Sequence, residues 1–405
     1  MIGSATQMLG FMEGADKRYV IPVYQRKYSW KLDNCRQLFR DLKKVVQDKR
    51  ESHFFGSMVS SVEGKGGKTE YHIIDGQQRL TTVSLLLLAI SNLVANGEVK
   101  SSEEKLCEQI NQRFLISPWA KDDDKIKLRL VKGDRDAYAK LFEDEKDFDR
   151  SSNLTLNYLF FREMVLKQEV SVDDLYSAIG KLEIISITLE SYDNAQLIFE
   201  SLNSTGLALS EGDKIRNYIL MGLKPKDQTQ FYDKYWAKIE KCTADNVSDF
   251  VRDYLSIKQQ KTPTISAVYP AFKLYAEDAG MSVEILLEDM LRYARFYWKL
   301  QNHVSETGEK KLDDCMYRMT RLEIVVTRPF LMEVLRLHQD GKLSVQDVLQ
   351  VFQITENYLF RRNICEVPTN ALNKIFLLLN KEILRYDNTA GNYVETLLLK
   401  IKLRY

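Results

Sequence analysis

The feature that most constrains this chain is an abrupt change of hydrophobic periodicity at residues 75–79. A run rich in β-branched and aromatic residues, Thr69–Ile74, ends there and is followed at once by a strongly apolar helical pattern, Gln77–Ala95. Asn96-Gly97 is a natural stop for that helix. The sequence therefore predicts a strand that delivers a carboxylate to a glycine turn, from which a long buried helix begins.

The surrounding segments predict both strands and helices in the first half and helices alone in the second. Predicted elements of the first half are a strand at Tyr19–Val23, a helix at residues 32–46 with Ser29 as its N-cap, a strand at Phe54–Val62 that forms a glycine-tipped hairpin with residues 69–74, a weaker strand pattern at Lys125–Val131, a strand at Leu182–Leu189, a helix at Asp193–Leu202, a turn at 203–206 and a helix from the Ser210 capping box to Met221. Beyond Gly222 every long segment has helical spacing. We expect an α+β fold, with a small mixed sheet and helices in residues 1–222, a mostly helical insertion at about 98–181, and a large all-helical domain at 223–405.

The cysteine and apolar patterns indicate a cytoplasmic protein. The 5 cysteines are far apart and contain no CxxC pair, which favours free thiols in a reducing compartment. The N-terminus lacks the charged and apolar regions of a signal peptide. The longest apolar run, Val83–Ile90, is far shorter than the roughly 20 residues that span a bilayer. We therefore expect no membrane partner.

Charge is unevenly distributed although the formal net charge is only +1. Residues 1–50 contain eleven basic side chains and five acidic ones. Such an excess is typical either of a surface that faces a polyanion or of a solvated helix face, and the sequence leaves both open.

The segment from Asp75 to Arg79 has the residue types of a phosphate site. A helix N-terminus presents unpaired backbone N–H groups and a partial positive charge, and Gly76 lets a ligand approach the backbone. Arg79 suits phosphate oxygens, whereas Asp75 suits Mg²⁺ or a water molecule. Thr81 and Thr82 add hydroxyls one turn later. The alternative is that Asp75 caps the helix and Arg79 makes a structural salt bridge, which leaves Gln77 and Gln78 unexplained.

Two further segments are candidates for contact with nucleic acid or nucleotide. In the first, Arg26 can neutralise a phosphate, and Tyr24, Tyr28 or Trp30 can stack on a base. Gln25 belongs to the same predicted DNA-binding segment. Its alternative is ordinary core packing, which we expect for Trp30. The second is the turn Asn203–Gly206 ahead of the Ser210 capping box. There Asn203 can bond a base, a ribose or a metal-bound water, Gly206 allows close approach, and Lys214 or Arg216 can meet a phosphate. Its alternative is a polar turn with a helix cap.

Four ordered segments resemble the motifs of the N-terminal domain family of GmrSD-type restriction enzymes. They are Ile21–Trp30 (IPVYQRKYSW), His53–Ser57 (HFFGS), Ile74–Thr82 (IDGQQRLTT) and Phe199–Ser210 (FESLNSTGLALS) with Asp213, Ile215, Arg216 and Asn217 after it. Similar features continue near residues 361–365, so the resemblance covers most of the chain.

The resemblance implies a ParB-like fold and a site that binds and hydrolyses a nucleoside triphosphate, often GTP, with Mg²⁺. Asp75, Gln77, Gln78 and Arg79 would handle the phosphates and the metal. The family couples nucleotide hydrolysis to cutting DNA with modified bases or a modified backbone, in bacterial defence against phage.

The chain shows no H-N-H nuclease pattern around its 4 histidines. We therefore expect the nuclease beyond residue 405 or in a separate subunit, unless the protein only senses. Three functions remain open: an NTP-hydrolysing sensor of modified DNA, a non-catalytic nucleotide- or DNA-binding module that regulates a nuclease, and a ParB-like nuclease itself. The sequence does not fix the oligomeric state, and a homo-oligomer is compatible with it.

Overall fold

The computed structural model describes residues 1–65, 68–117, 120, 125–190, 192–202, 209–385 and 389–402. The chain divides into two compact units, Met1–Ala208 and Leu209–Tyr405. The helix Glu211–Met221, which was expected to end the first domain, belongs to the second unit.

The first unit contains a mixed six-stranded sheet. Its strands are β1 (Ile2–Gln7), β2 (Lys17–Val20), β3 (His53–Lys65), β4 (Lys68–Asp75), β5 (Leu128–Arg129) and β6 (Leu182–Leu189), in the order β1-β6-β3-β4-β2-β5. β3 and β4 form the predicted antiparallel hairpin, β1 runs antiparallel to β6, and the pairs β3–β6, β2–β4 and β2–β5 are parallel. The parallel pairs require helical crossovers, which accounts for the helices between these strands.

The helices of the first unit pack on this sheet and on one another. They are α1 (Met8–Met12), α2 (Leu32–Gln47), α3 (Gln77–Ala95), α4 (Leu106–Ile110), α5 (Lys132–Lys140), α6 (Asn153–Leu166), α7 (Val172–Gly180) and α8 (Ala195–Leu202), with a π-helical turn at Asn111–Leu115 and a 3₁₀ turn at Glu145–Asp147. The α+β prediction for this part of the chain is confirmed.

The central helix of the first unit is α3. It is buried over 15 of its 19 residues, because its sequence is apolar around its whole circumference. By its length and composition alone, this helix could cross a membrane. The sequence-based prediction considered only the shorter apolar run Val83–Ile90 and therefore did not identify it. In the structure 78% of the apolar window of α3 is buried by neighbouring elements, as expected for a core helix.

Several predicted boundaries change in the structure. Ser29 is not the N-cap of α2, because the helix begins at Leu32, and there the Asn34 Oδ1 accepts from the Lys31 N–H at 2.9 Å. β2 ends at Val20, and only Leu128–Arg129 of the predicted fifth strand pairs in the sheet. The strands of the hairpin, α3 and β6 lie where the sequence predicts them.

The second unit is helical throughout its described residues. Its helices are α9 (Glu211–Met221), α10 (Pro225–Phe231), α11 (Ala237–Cys242), α12 (Val247–Gln259), α13 (Val268–Ala279), α14 (Val283–Asn302), α15 (Lys310–Thr320), α16 (Arg328–Gln339), α17 (Val345–Ile364), α18 (Leu372–Leu384) and α19 (Tyr393–Lys402), with a π-helical turn at Tyr232–Trp236 and 3₁₀ turns at Ile265–Ala267, Val325–Thr327 and Thr369–Ala371. Aromatic side chains fill its core, among them the fully buried Trp236, Tyr254 and Phe330. The prediction of a large helical C-terminal region is confirmed.

Candidate functional site

The turn between β4 and α3 depends on a glycine. Gly76 has a φ of 95°, in the left-handed region that a residue with a Cβ rarely adopts. A Cβ at this position would lie 2.2 Å from the Met58 Sδ and 3.1 Å from the Ser57 carbonyl oxygen. The start of α3 is therefore pressed against β3, and only glycine fits there.

The N-terminus of α3 has no side-chain cap in the described part of the chain. The Leu80 N–H bonds the Gly76 carbonyl at 3.0 Å, which leaves the preceding N–H groups of the first turn without intrahelical acceptors. Asp75 does not cap the helix, so that part of the alternative interpretation is wrong, whereas the Arg79 salt bridge that it also predicted is present. A 19-residue helix with an uncapped N-terminus is electrostatically suited to an anion.

Arg79 and Asp75 form an ion pair beside this N-terminus. The Arg79 Nη2 donates to the Asp75 Oδ2 at 3.1 Å and also to the Ser57 carbonyl, and the Ser57 hydroxyl lies 3.5 Å from the same carboxylate oxygen. Both charged side chains are 24% exposed, so solvent reaches the pair. The Arg79 Nε is buried without a hydrogen-bond partner among the described residues. Arg79 therefore has donor capacity beyond its present contacts.

The two glutamines of the motif have different environments. Gln78 accepts hydrogen bonds from the Ser29 N–H at 2.9 Å and the Trp30 N–H at 3.2 Å, and it donates to the Lys27 carbonyl at 3.3 Å. Its carboxamide is thus occupied in holding residues 27–30. Gln77 is 8% exposed, and its side chain makes no hydrogen bond within the described ranges.

Residues 21–30, the segment predicted to contact DNA, are largely buried. The Gln25 Nε2 donates to the Ile74 carbonyl at 2.7 Å, which fixes this segment to the end of β4. Tyr24 is 4% exposed, and burial raises the pKa of its phenol. Arg26 is half-buried. In this conformation neither Tyr24 nor Gln25 presents a surface on which a base can stack.

Tyr28 belongs to a buried polar network, not to a surface. Its hydroxyl lies 2.7 Å from the Thr82 Oγ1 and accepts from the Asn157 Nδ2 at 3.0 Å, while its backbone N–H donates to the Asp134 Oδ2 at 2.6 Å. The Thr82 hydroxyl donates to the Gln78 carbonyl at 2.7 Å. Burial raises the pKa of Tyr28 well above its ordinary value.

The threonines predicted to bind nucleotide lie in the interior. Thr81 is 2% exposed and Thr82 is completely buried, because one turn into α3 the helix already has neighbours on every side. In this conformation the hydroxyls of both residues are out of reach of a ligand at the helix N-terminus.

The second predicted anion site is only partly visible. Asn203 and Gly206 lie outside the described residues. The Ser210 capping box is present, with the Asp213 N–H donating to the Ser210 Oγ at 3.1 Å. Lys214 pairs with Glu211 at 2.7 Å, and Arg216 is buried between Asp213 and Glu240 at 2.7 and 2.6 Å. Both cations are engaged within the second unit.

Some of the basic side chains of residues 1–50 form ion pairs within the first unit. They include Arg18 with Glu70, Arg36 with Asp33, Lys43 with Glu169 and Arg50 with Asp48. Asp33 and Asp48 are already among the five acids of residues 1–50, so these pairs neutralise only part of the basic excess and leave both interpretations open.

Asp75 is the predicted metal ligand. Among the described residues no group of three or more His, Cys, Asp or Glu side chains is arranged to hold a metal ion. Mg²⁺ in nucleotide sites commonly uses one or two carboxylates together with phosphates and water. Asp75, with the Ser57 hydroxyl beside it, therefore fits a metal that a nucleotide brings with it better than a permanently bound one.

Sequence reasoning assigned no role to Gly56 and Ser57. Both contact Arg79, and Gly56 has a φ of +114° that places its backbone against the guanidinium. The glycine of the HFFGS segment, which resembles a family motif, was the one indication in the sequence that this segment matters to the site. No sequence pattern indicated that Asp134 and Asn157 would bond Tyr28.

A family model described as GmrSD restriction endonuclease, N-terminal domain, matches residues 9–220. No curated protein matches the chain.

Proposed function

The chain belongs to the family of GmrSD restriction endonuclease N-terminal domains, and from this premise we propose that its first unit binds and hydrolyses a nucleoside triphosphate. As a component of a restriction system it would use that reaction to regulate the cutting of modified DNA. GTP is the substrate that we propose first, because the resemblance of the DGQQR segment to its family implies it.

The observation that carries the proposal is the uncapped N-terminus of α3 beside a solvent-accessible Arg79. Backbone N–H groups and a guanidinium converge on one place, which is the donor set that phosphate oxygens require. The Arg79 Nε is buried and has no partner among the described residues, so it becomes a further donor when the guanidinium moves towards a phosphate.

Each residue of the motif would then have a separate task. Arg79 would exchange Asp75 for a phosphate, since a charged phosphate competes for the same Nη2 donor. The freed Asp75 would hold Mg²⁺ or orient a water molecule. When bound, Mg²⁺ would supply charge neutralisation to the phosphates. Gln77 is available to contact the ligand, whereas Gln78 positions residues 27–30.

A second candidate is a module that binds nucleotide or DNA without catalysis. It is favoured by the single carboxylate at the site and by the absence of a metal-binding cluster in the described residues. The same observation argues more strongly against a ParB-like nuclease at Asp75, because phosphodiester cleavage by metals usually needs two ions and their ligands.

A nuclease domain or subunit outside these 405 residues would perform the cutting. Modified DNA would stimulate nucleotide turnover, and the system would operate in the cytoplasm. A ParB-like fold for the first unit also remains a proposal.

The test separates binding from turnover. Equilibrium binding of GTP and ATP and release of phosphate would be measured with Mg²⁺, with and without modified DNA, for the wild type, Asp75→Asn and Arg79→Gln. Arg113→Gln is the matched control, because Arg113 forms an exposed ion pair with Glu13 in the same unit. Thermal unfolding would verify that each variant folds.

We expect Arg79→Gln to lose nucleotide binding, and Asp75→Asn to bind but not turn over. Binding without turnover in the wild type would support the non-catalytic module instead. Unchanged binding and turnover in both variants would exclude the motif as the site.

A further inference from the structure

Two helices of the second unit carry basic stripes. On α14, Arg292, Arg295 and Lys299 recur at spacings of three and four residues, which places them on one helix face. On α11, Lys238 and Lys241 are three residues apart. The two helices pack against each other, and the five cations line one cavity of about 550 Å³ between them.

The cations of this cavity are only partly neutralised. The Arg292 side chain bonds the Gln339 Oε1 at 2.8 Å and pairs with Asp340. The Lys299 Nζ pairs with the Glu306 Oε2 at 2.9 Å. Among the residues that the structure describes, Glu306 is the one acidic side chain that lines the cavity.

The other three cations, Lys238, Lys241 and Arg295, are exposed and have no ion pair within the described part of the chain. Two of them act on the same half-buried thiol: partial burial raises the pKa of Cys242, and the charges of Arg295 and Lys241 oppose that shift. Unpaired like charges therefore converge on the cavity. These cations repel one another, and a bound anion would reduce that repulsion.

An aromatic surface lies among these charges. Trp298 is half-buried and lines the same cavity, on the face of α14 that carries Arg295 and Lys299. An accessible indole beside a row of cations is the combination that binds nucleic-acid strands, since the cations meet phosphates and the ring stacks on a base. An acidic peptide would use the cations but would give the indole no comparable role.

We propose that this cavity, which we call the α11–α14 cleft, binds nucleic acid. Lys238, Lys241 and Arg295 contact the phosphate backbone, and Trp298 stacks on a base. The sequence predicted that Tyr24 and Tyr28 contact DNA, but both side chains are buried in the structure. We assign the contact with nucleic acid to the cleft instead. Binding of nucleic acid to the cleft is measured without nucleotide hydrolysis in the first unit, so either proposal can fail without the other.

The experiment measures fluorescence anisotropy of labelled single-stranded and duplex oligonucleotides on the full chain. Lys241→Glu/Arg295→Glu reverses two charges of the cleft. Lys374→Glu/Lys381→Glu is the matched control, because both lysines are exposed on α18 in the same unit and the total change of charge is identical. Binding is followed between about 50 and 200 mM salt, where phosphate contacts dominate the salt dependence.

We expect the cleft variant to bind at least tenfold more weakly than the control, with a salt slope reduced by about 0.7–0.9 per lost phosphate contact. Trp298→Ala should weaken binding of the single strand by about tenfold or more and leave the salt slope unchanged. Lys238→Gln, a single exposed substitution, provides a further readout if the double variant fails to fold.

Equal affinities of the cleft and control variants would overturn the proposal, as would equal losses in both. Competition by free GTP, with nucleotide binding lost in the cleft variant and oligonucleotide binding retained, would also overturn it. That result would identify a nucleotide, not a nucleic acid, as the ligand.

Discussion

Gly56 on β3 lies directly against the guanidinium of Arg79 at the start of α3. A Cβ built on Gly56 would stand 3.1 Å from the Arg79 Nη1 and 3.2 Å from its Cζ. The next residue, Ser57, accepts a hydrogen bond from the same guanidinium through its carbonyl. The backbone of β3 therefore forms one wall of the Arg79 site, and the position of the arginine depends on a glycine more than twenty residues earlier in the chain.

Gly56→Ala should displace Arg79 and strain the strand. The φ of +114° costs an alanine about 1–3 kcal/mol, and the added methyl contacts the guanidinium. We expect lower stability in urea unfolding together with weaker nucleotide binding. Gly64→Ala in the same strand is the control, because its Cβ would meet nothing within 4 Å. Equal effects at both positions would show that Gly56 has no special relation to Arg79.

Gln78→Ala should act through stability, not through chemistry. The substitution leaves the Ser29 and Trp30 N–H groups and the Lys27 carbonyl without their partner, which costs about 2–3 kcal/mol. Denaturant unfolding measures that loss. Gln37→Ala, which removes an exposed contact to Asp41, should change stability by less than about 0.5 kcal/mol. A Gln78→Ala variant of normal stability with no phosphate release would instead make Gln78 part of the reaction.

Tyr28→Phe should destabilise the first unit without changing DNA affinity. The variant removes a hydroxyl that bonds Thr82 at 2.7 Å and Asn157 at 3.0 Å inside the core. A loss of about 1–2 kcal/mol follows from the unsatisfied partners. Thermal unfolding and oligonucleotide anisotropy would be compared on the same preparation. Reduced DNA affinity at unchanged stability would restore the hypothesis that Tyr28 contacts DNA.

Lys127→Met should remove an alkaline rise in stability. The Lys127 Nζ is buried and donates to the carbonyls of Gln112 and Arg113 at 2.9 and 2.6 Å. Burial lowers its pKa to about 8, whereas the unfolded chain has the ordinary value of 10.5. Between these two pH values the unfolded state binds more protons, so the free energy of unfolding of the wild type rises with pH.

The measurement for Lys127 is the difference between wild-type and variant stability from pH 7.5 to 9.5. We expect that difference to grow with pH by about 1–3 kcal/mol. Tyrosine ionisation in the unfolded state is common to both proteins and cancels. Parallel curves would mean that the ammonium carries no penalty in the folded protein.

Much of the fold was predictable because its elements follow from local patterns in the sequence. The β3–β4 hairpin, α3 and β6 were placed from alternation, helical spacing and β-branched residues, and the Ser210 capping box from a four-residue signal. Less local features were missed. The cap of α2 depends on Asn34 and not on Ser29, and β5 is limited to two residues by what pairs with it in the sheet.

In the candidate site, too, local features were predicted and features that depend on distant residues were missed. Its turn was predicted because a left-handed φ at Gly76 and the change from strand to helix are local requirements of the backbone. The structure does not support the prediction that Tyr24, Gln25 and Tyr28 contact DNA, because all three side chains are buried. The sequence of a loop does not show whether a tyrosine in it is buried or exposed.

The family, the mixed sheet followed by helices, and the strand–glycine–helix turn can all be read from the amino-acid sequence, since they follow from motif order, periodicity and backbone conformation. Which polar groups are free could be seen only in the folded chain. The tertiary structure occupied Gln78 and Thr82 with partners from elsewhere in the first unit and left the N-terminus of α3 uncapped. In the second unit it brought the basic stripes of α11 and α14 to one cavity. The availability of a hydrogen-bond donor or a charge depends on neighbours that are distant in sequence, and no local pattern encodes these neighbours.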